Sequence, residues 1–184
     1  MKYYKQGESY TYQGYLGYGP IAAYLGQKGW CLGIGLREGS QHSQTNFIPF
    51  LGQSIKRAKE VTNKPLLVRV DTTHDSLETL VALAGHEKVF YIVKWNPRSE
   101  NRMEWRNKAF RDGDVTEPRL GKRIALLSVH VWREHNGRTY RFRLVLRVIA
   151  RTIDRTGQML LTPEIELEGW WTSLKAPEQT VIKL

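Results

Sequence analysis

A mixed α/β sheet that runs into an antiparallel β meander is the fold class this sequence predicts. Three observations predict it. Apolar residues alternate at period 2 in several short runs, two segments between those runs repeat apolar residues at helical spacing, and a long Asn-Gly hairpin follows Pro97. At 184 residues the chain is long enough for a proper core, since about 150 residues bury roughly 70% of their unfolded surface.

The order of elements follows from the pattern. Gly14 to Pro20 is punctuated by glycine and leads into Ile21-Ala22-Ala23-Tyr24-Leu25. After Gly26-Gln27-Lys28-Gly29, the residues Trp30, Leu32, Ile34 and Leu36 alternate with smaller ones, which completes a β-hairpin. Ile48, Leu51, Ile55 and Ala58 place a helix over Asn46 to Val61 with a basic face at Lys56, Arg57 and Lys59, and Thr62 to Pro65 ends it. Leu66 to Val70 is a short apolar strand tipped by Asp71. Asp75, followed three residues later by Glu78, reads as a capping box for a helix through Leu77, Leu80, Val81 and Ala84, closed by Gly85. Val89 to Val93 is the next strand, stopped by Asn96-Pro97.

Beyond Pro97 the character changes. Ser99 to Arg123 is charged and reads as turns. Ile124 to Arg133 and Tyr140 to Ala150 are strands joined at His135-Asn136-Gly137-Arg138, a type I′ signal. Asp154 to Gly157 turns the chain again, and Met159 to Glu168 runs back. Pro177 and Glu178 open a last short helix.

Composition narrows the partners. The chain is 41% hydrophobic and 25% charged with mean hydropathy −0.47, the profile of a globular protein. No apolar run approaches the ~20 residues of a membrane helix, and Met1-Lys2-Tyr3-Tyr4 opens no signal peptide. A single cysteine, Cys31, forms no internal disulfide, which suits a reducing cytosol. The net charge of +10 favours polyanions, nucleic acid first, and Arg102 to Arg155 holds 14 Lys/Arg against 6 Asp/Glu.

That basic excess has two readings. With Asn136-Gly137 at the turn centre, paired residue numbers sum to 273, so His130, Trp132, Arg141 and Arg143 share a face that Arg147 and Arg151 continue. One reading is a cationic ribbon with an aromatic, laid on phosphate backbone. The other is a solubilised sheet face. A second turn centred on Arg155-Thr156 makes pairs sum to 311, setting Arg147 against Glu164 and Arg143 against Glu168.

Three stretches resemble one family, the DDE transposases of bacterial insertion sequences. They are Tyr12-Gln13-Gly14-Tyr15-Leu16-Gly17-Tyr18-Gly19-Pro20-Ile21, Leu36-Arg37-Glu38-Gly39-Ser40-Gln41-His42 and Leu67-Val68-Arg69-Val70-Asp71. Their order and spacing follow the family motifs Gly-Tyr-x-Gly-Tyr-x-Pro, Leu-Arg-x-Gly-x-Gln-His and Leu-Val-Arg-x-Asp-Ser. The similarity runs from about Lys5 to Leu80, weakens through the β-rich part and returns near Pro177 to Ile182.

The resemblance implies a ribonuclease-H-like mixed sheet with flanking helices over residues 1–98, incomplete in this chain. It further implies a β-rich insertion over 99–174 and the start of the last catalytic-core helix over 175–184. Such proteins hold two Mg²⁺ or Mn²⁺ ions with two aspartates and a glutamate, for in-line attack on DNA phosphate. Asp71 would be the second aspartate, both a catalytic residue and a metal ligand. The first would precede Met1 and the glutamate would follow Leu184, so the chain is expected to bind metal weakly or not at all and to cut nothing. Thr72-Thr73 stands where the family has Ser-Gly. Transposon-end DNA, a homodimer in the full-length family and a bacterial, nucleoid-associated cytoplasmic location are implied as well.

Other residues admit a plainer reading. Asp71 without the motif is a strand-end cap, and Asp75 reads as a helix cap. His42, His74, His86, His130 and His135 show no zinc-like spacing. Glu164, Glu166 and Glu168 alternate as a charged sheet face, and Trp170-Trp171 reads as core or sheet edge. Trp105, flanked by Arg102 and Arg106, either stacks on DNA bases or packs within the insertion. No Walker-type phosphate loop and no Ser-His-Asp arrangement is present. A transposase segment is therefore expected; the alternative is a non-catalytic basic β-rich nucleic-acid-binding module.

Overall fold

The computed structural model describes residues 5–98 and 100–184. Met1 to Tyr4, where no signal peptide is expected, and Ser99, where the insertion is expected to open, lie outside the described residues. The chain is mixed α and β, and it divides into two compact units, Met1–Leu66 and Leu67–Leu184. Among the described residues, no helix is long and apolar enough to cross a membrane.

In the first unit, β1 (Ser9–Tyr10) and β2 (Leu16–Gly17) pair antiparallel, as do β3 (Ile21–Leu25) and β4 (Trp30–Gly35). The helix α1 (Phe47–Val61) turns Phe47, Leu51, Ser54, Ile55 and Ala58 inward. The stripe begins at Phe47, with Ile48 only half-buried, a rotation of one position from the sequence expectation. Arg57 of the basic face is held by the hairpin, its Nη1 donating to the Leu32 carbonyl at 2.7 Å. The two glycine-rich motifs meet here. The Gly19 amide donates to the Arg37 carbonyl at 2.9 Å, and Arg37 returns its Nε to the Gly19 carbonyl at 3.0 Å and its Nη1 to the Ser43 carbonyl at 2.9 Å.

The second unit is built on a mixed, curled six-stranded sheet. Its strands are β5 (Leu66–Val70), β6 (Val89–Lys94), β7 (Asp114–Arg119), β8 (Lys122–His135), β9 (Arg138–Ile153) and β10 (Met159–Thr172), in the order β5-β6-β10-β9-β8-β7. Because β10 pairs directly with β6, the strands expected of an insertion extend the same sheet as those expected of the core. One face carries Leu144, Leu146 and Trp171. On this side α3 (Arg102–Asp112) brings Trp105 edge-on to Trp95 at 5.7 Å between ring centres. On the opposite face Val181 of α4 (Glu178–Lys183) joins Ile92 and Val145, with Trp170, Leu174 and Ile182 packed around them. α2 (Leu77–Ala84) buries Leu80 and Leu83.

Three expectations need correction. The segment read as turns from Ser99 to Arg123 holds α3 and β7. The cap of α2 is Ser76, whose hydroxyl accepts from the Thr79 amide, and not Asp75. Between β9 and β10 the pairs sum to 315 beyond a bulge, so Arg147 faces Glu168, Arg151 faces Glu164, and Arg143 faces Thr172. Pro163 lies inside the bulge between Met159 and Glu164; with no N–H to give, it breaks the ladder there. The shift of four is even, so each side chain keeps its face. The β8–β9 pairs do sum to 273, from Lys122–Arg151 to His135–Arg138. Asn136 and Gly137 both take positive φ, 49° and 71°, as a type I′ turn requires.

Candidate functional site

Asp71 follows β5 at once and is exposed. Its carboxylate accepts from the Thr72 amide at 2.7 Å, and its carbonyl accepts from the His74 amide at 3.0 Å, so it caps the 3₁₀ turn Thr72–His74. The strand it terminates is the outermost of the sheet, paired on one side only among the described residues.

Asp75, the nearest acidic neighbour in sequence, is engaged elsewhere. Its Oδ2 accepts from the Asn96 amide at 2.7 Å and its Oδ1 from the Trp171 indole N–H at 3.0 Å. The residue after the turn is thus tied to the ends of β6 and β10. Burial pushes the Asp75 carboxyl up, against the opposing pull of the Asn96 and Trp171 bonds and of the Arg98 charge. A carboxyl with a raised folded-state pKa binds its proton more tightly in the fold than unfolded. Its contribution to stability is therefore full below the unfolded value of 3.8 and declines as pH rises through the folded one. The stability of the wild-type chain relative to Asp75→Asn, from unfolding measured at pH 3 to 7, is expected to show this decline.

The residues present do not fit a two-metal centre. Among the described residues there is no group of three or more His, Cys, Asp or Glu that could hold a metal ion. Asp71 brings a single carboxylate, whereas hard divalent cations take several oxygen ligands.

The arginine face divides in two. Arg147 pairs with Glu168 and lies over the Trp170 ring at 5.9 Å, while Arg151 bonds Glu166 at 2.8 Å and Glu164 at 3.4 Å. Arg143 is a structural clamp. Its Nε donates to the Ser128 hydroxyl at 2.8 Å, its Nη1 to the Leu174 and Ala176 carbonyls at 2.7 Å each, and its Nη2 to Glu178 at 3.0 Å. Arg141 differs. It is exposed, makes no ion pair among the described residues, and lies 5.8 Å from the Trp132 ring, itself 62% exposed.

These two residues stand on a projecting ribbon. β10 stops at Thr172 opposite Arg143, and β7 begins at Asp114 opposite Leu126. Past those points β8 and β9 continue as two strands alone to the Asn136-Gly137 turn, carrying Arg133 and Arg138 as well, both exposed.

Trp105 and Arg106 are half-buried on α3 and engaged by neighbours. The Trp105 indole donates to Glu100 at 2.9 Å beside Trp95, and the Arg106 guanidinium lies 5.4 Å from the Phe110 ring centre. Sequence reasoning missed the Arg143 clamp and the Asp75–Trp171 bond, which join residues 35 and 96 positions apart. Local spacing carries no signal for either. Compared with known proteins, the chain matches no family model and no curated protein.

Proposed function

We propose that this chain is a segment of a DDE-type insertion-sequence transposase, with a ribonuclease-H-like core, that binds DNA and by itself cuts nothing. The observation that carries the reading is the open flank of β5. An exposed aspartate sits at the tip of a strand whose outer edge has no partner among the described residues. A further strand paired there would bring a second carboxylate beside Asp71, as the motif resemblance requires. The single carboxylate present does not fit Mg²⁺ or Mn²⁺, so the activity assigned to this chain is binding alone. Its place would be the DNA of a bacterial cytoplasm.

The DNA surface in this reading is the β8–β9 ribbon. The major groove admits a two-stranded β-ribbon; Arg141 beside Trp132 supplies charge and a stacking face on one side of it, and Arg133 and Arg138 supply charge on the other. Arg143 and Arg147 are held by their own partners.

Two measurements test this. In a mobility-shift series on duplex DNA, Arg138→Gln with Arg141→Gln is expected to weaken binding and to flatten the salt dependence by about 2 in the log–log slope, roughly 0.9 per lost phosphate contact. The second assay uses the chain extended along its own reading frame at both ends, with Mn²⁺ and supercoiled DNA. Nicking lost in Asp71→Asn supports the transposase reading. Nicking by the 184-residue chain itself, or DNA binding with no nicking by the extended chain, overturns it and leaves a basic β-ribbon binding module.

A further inference from the structure

A slot opens in the sheet of the second unit where β10 ends. Thr172 is its last paired residue, opposite Arg143 on β9 and Ile92 on β6. Beyond it β9 runs on to Arg138 and β6 extends back to Val89, with no strand of the described residues between them. Strands flanking one vacant position stand roughly 10 Å apart, twice the usual spacing. The resulting cavity measures about 580 Å³, inside the range of about 300–1,000 Å³ typical of small-ligand sites.

The floor is aromatic and mostly apolar. Tyr91, Phe142 and Thr172 are buried, and the Tyr140 and Phe142 rings lie parallel at 5.9 Å. Ala84, at the end of α2, and Val89 close one side. Burial pushes the Tyr91 phenol up to about 12, so it stays protonated and neutral at pH 7.

The rim is cationic. Arg141, Lys175 and His130 line it, all exposed, and none makes an ion pair among the described residues. Among the described residues no Asp or Glu lines the cavity, and the fourth basic residue, Arg143, is spent on the α4 clamp. Positive groups without counter-charge around an aromatic floor select an anion with a planar, largely apolar body.

An inserted peptide strand fits less well, because the β6 edge is already satisfied at Tyr91. Its amide donates to the Ser173 hydroxyl at 3.1 Å, and its carbonyl accepts from the Thr172 hydroxyl at 2.9 Å and the Ser173 amide at 3.4 Å.

We propose that this slot binds a phosphorylated planar ring of mononucleotide size, the ring set into the slot against Tyr140 and the phosphate at Arg141 and Lys175, Arg141 projecting from the opposite face of β9 to Tyr140. The proposal does not depend on the transposase reading, since it concerns a cavity away from Asp71, although it shares Arg141 with the ribbon surface.

Titration calorimetry on the 184-residue chain tests it with four probes: deoxyadenosine monophosphate, deoxyadenosine, inorganic phosphate and a single-stranded deoxyadenosine oligonucleotide. The monophosphate is expected to bind with Kd below about 1 mM, about tenfold or more tighter than the nucleoside or phosphate alone. Lys175→Gln is expected to weaken it several-fold. Ala84→Phe, at an exposed position that fills the slot, is expected to abolish it while duplex binding and the unfolding midpoint stay unchanged. Competition by the oligonucleotide assigns the slot to a base within a strand, and lack of competition assigns it to a free nucleotide; either outcome supports the proposal. Equal affinity for phosphate and monophosphate, no binding of the monophosphate, or undiminished binding in Ala84→Phe overturns it. Loss of duplex binding in Arg138→Gln, a residue outside the slot, bears on the proposed function alone.

Discussion

Arg143→Ala is expected to destabilise the second unit by about 3 kcal/mol, the sum of several charge-assisted hydrogen bonds and the carbonyls they leave unpaired. The guanidinium closes four bonds at once, to Ser128, Leu174, Ala176 and Glu178. Two of them hold the chain segment that leads into α4. Six residues cannot maintain a helix unaided, so α4 depends on being docked. Without the clamp, Val181 leaves the cluster with Ile92 and Val145, and apolar surface is exposed on that face. Arg143→Lys keeps the charge but replaces the planar fork with a single ammonium, and is expected to recover less than half of the loss. Denaturant unfolding measures the destabilisation, and amide exchange should rise first at residues 178–184. A double-mutant cycle with Glu178→Gln isolates the ion pair, for which about 1 kcal/mol of coupling is expected because both groups are partly shielded. The same variant guards against a false conclusion about DNA. A loss of affinity in Arg143→Gln would follow from the fold, whereas one in Arg141→Gln, at an exposed residue without an ion pair, would follow from the surface.

The legible parts of the fold were those fixed by neighbours in sequence. Asn136-Gly137 determines a two-residue turn with two positive φ values, and from it the whole β8–β9 register follows. The next register was not legible. Asp154 builds a wider turn, accepting from the Thr156 and Gln158 amides, and Pro163 then forces a bulge whose length no pattern announces. α3 was missed because its sequence is dominated by charge and only Ala109 is fully buried. A signal was nevertheless present. Asn101 with Glu104 three residues on is an N-terminal signal: the Asn101 side chain caps α3, accepting from the Met103 and Glu104 amides and donating to the Glu104 carboxylate. Which arginines of that face are engaged is decided by partners distant in sequence. Glu178 and the Leu174 and Ala176 carbonyls hold Arg143, and Glu168 engages Arg147, while Arg141 is left beside Trp132. Asp71 was legible as a strand-end residue, and its exposure and cap geometry agree with that plain reading as well as with a ligand role.

Gly39→Ala is expected to disrupt the first unit, with a loss of about 3 kcal/mol, at the upper end of what a forced methyl costs in a packed site. A Cβ at this position would lie 2.4 Å from the Gly17 carbonyl oxygen and 2.4 Å from the Ser9 carbonyl oxygen. Both obstacles are backbone, so no side chain can swing aside; the Leu36 to His42 loop or the β1–β2 pair must move instead. The reason is close approach, not handedness, because Gly39 does not adopt a positive φ. Movement there breaks linked contacts: the Tyr18–Glu38 bridge, the reciprocal bonds of Arg37 and Gly19, and the Ser40 amide donation to the Ser9 hydroxyl at 2.8 Å. The two motifs that carry the family resemblance in this unit are therefore explained by mutual packing, in which one supplies the gap and the other the chain that fills it. Hydrogen exchange separates this outcome from general unfolding. Protection should fall across residues 9–43, while the long β8–β9 ladder keeps its protection. Equal loss in both units would mean that the glycine supports the whole chain, and unchanged exchange near Ser9 and Gly17 would mean that the loop accommodates a methyl without strain.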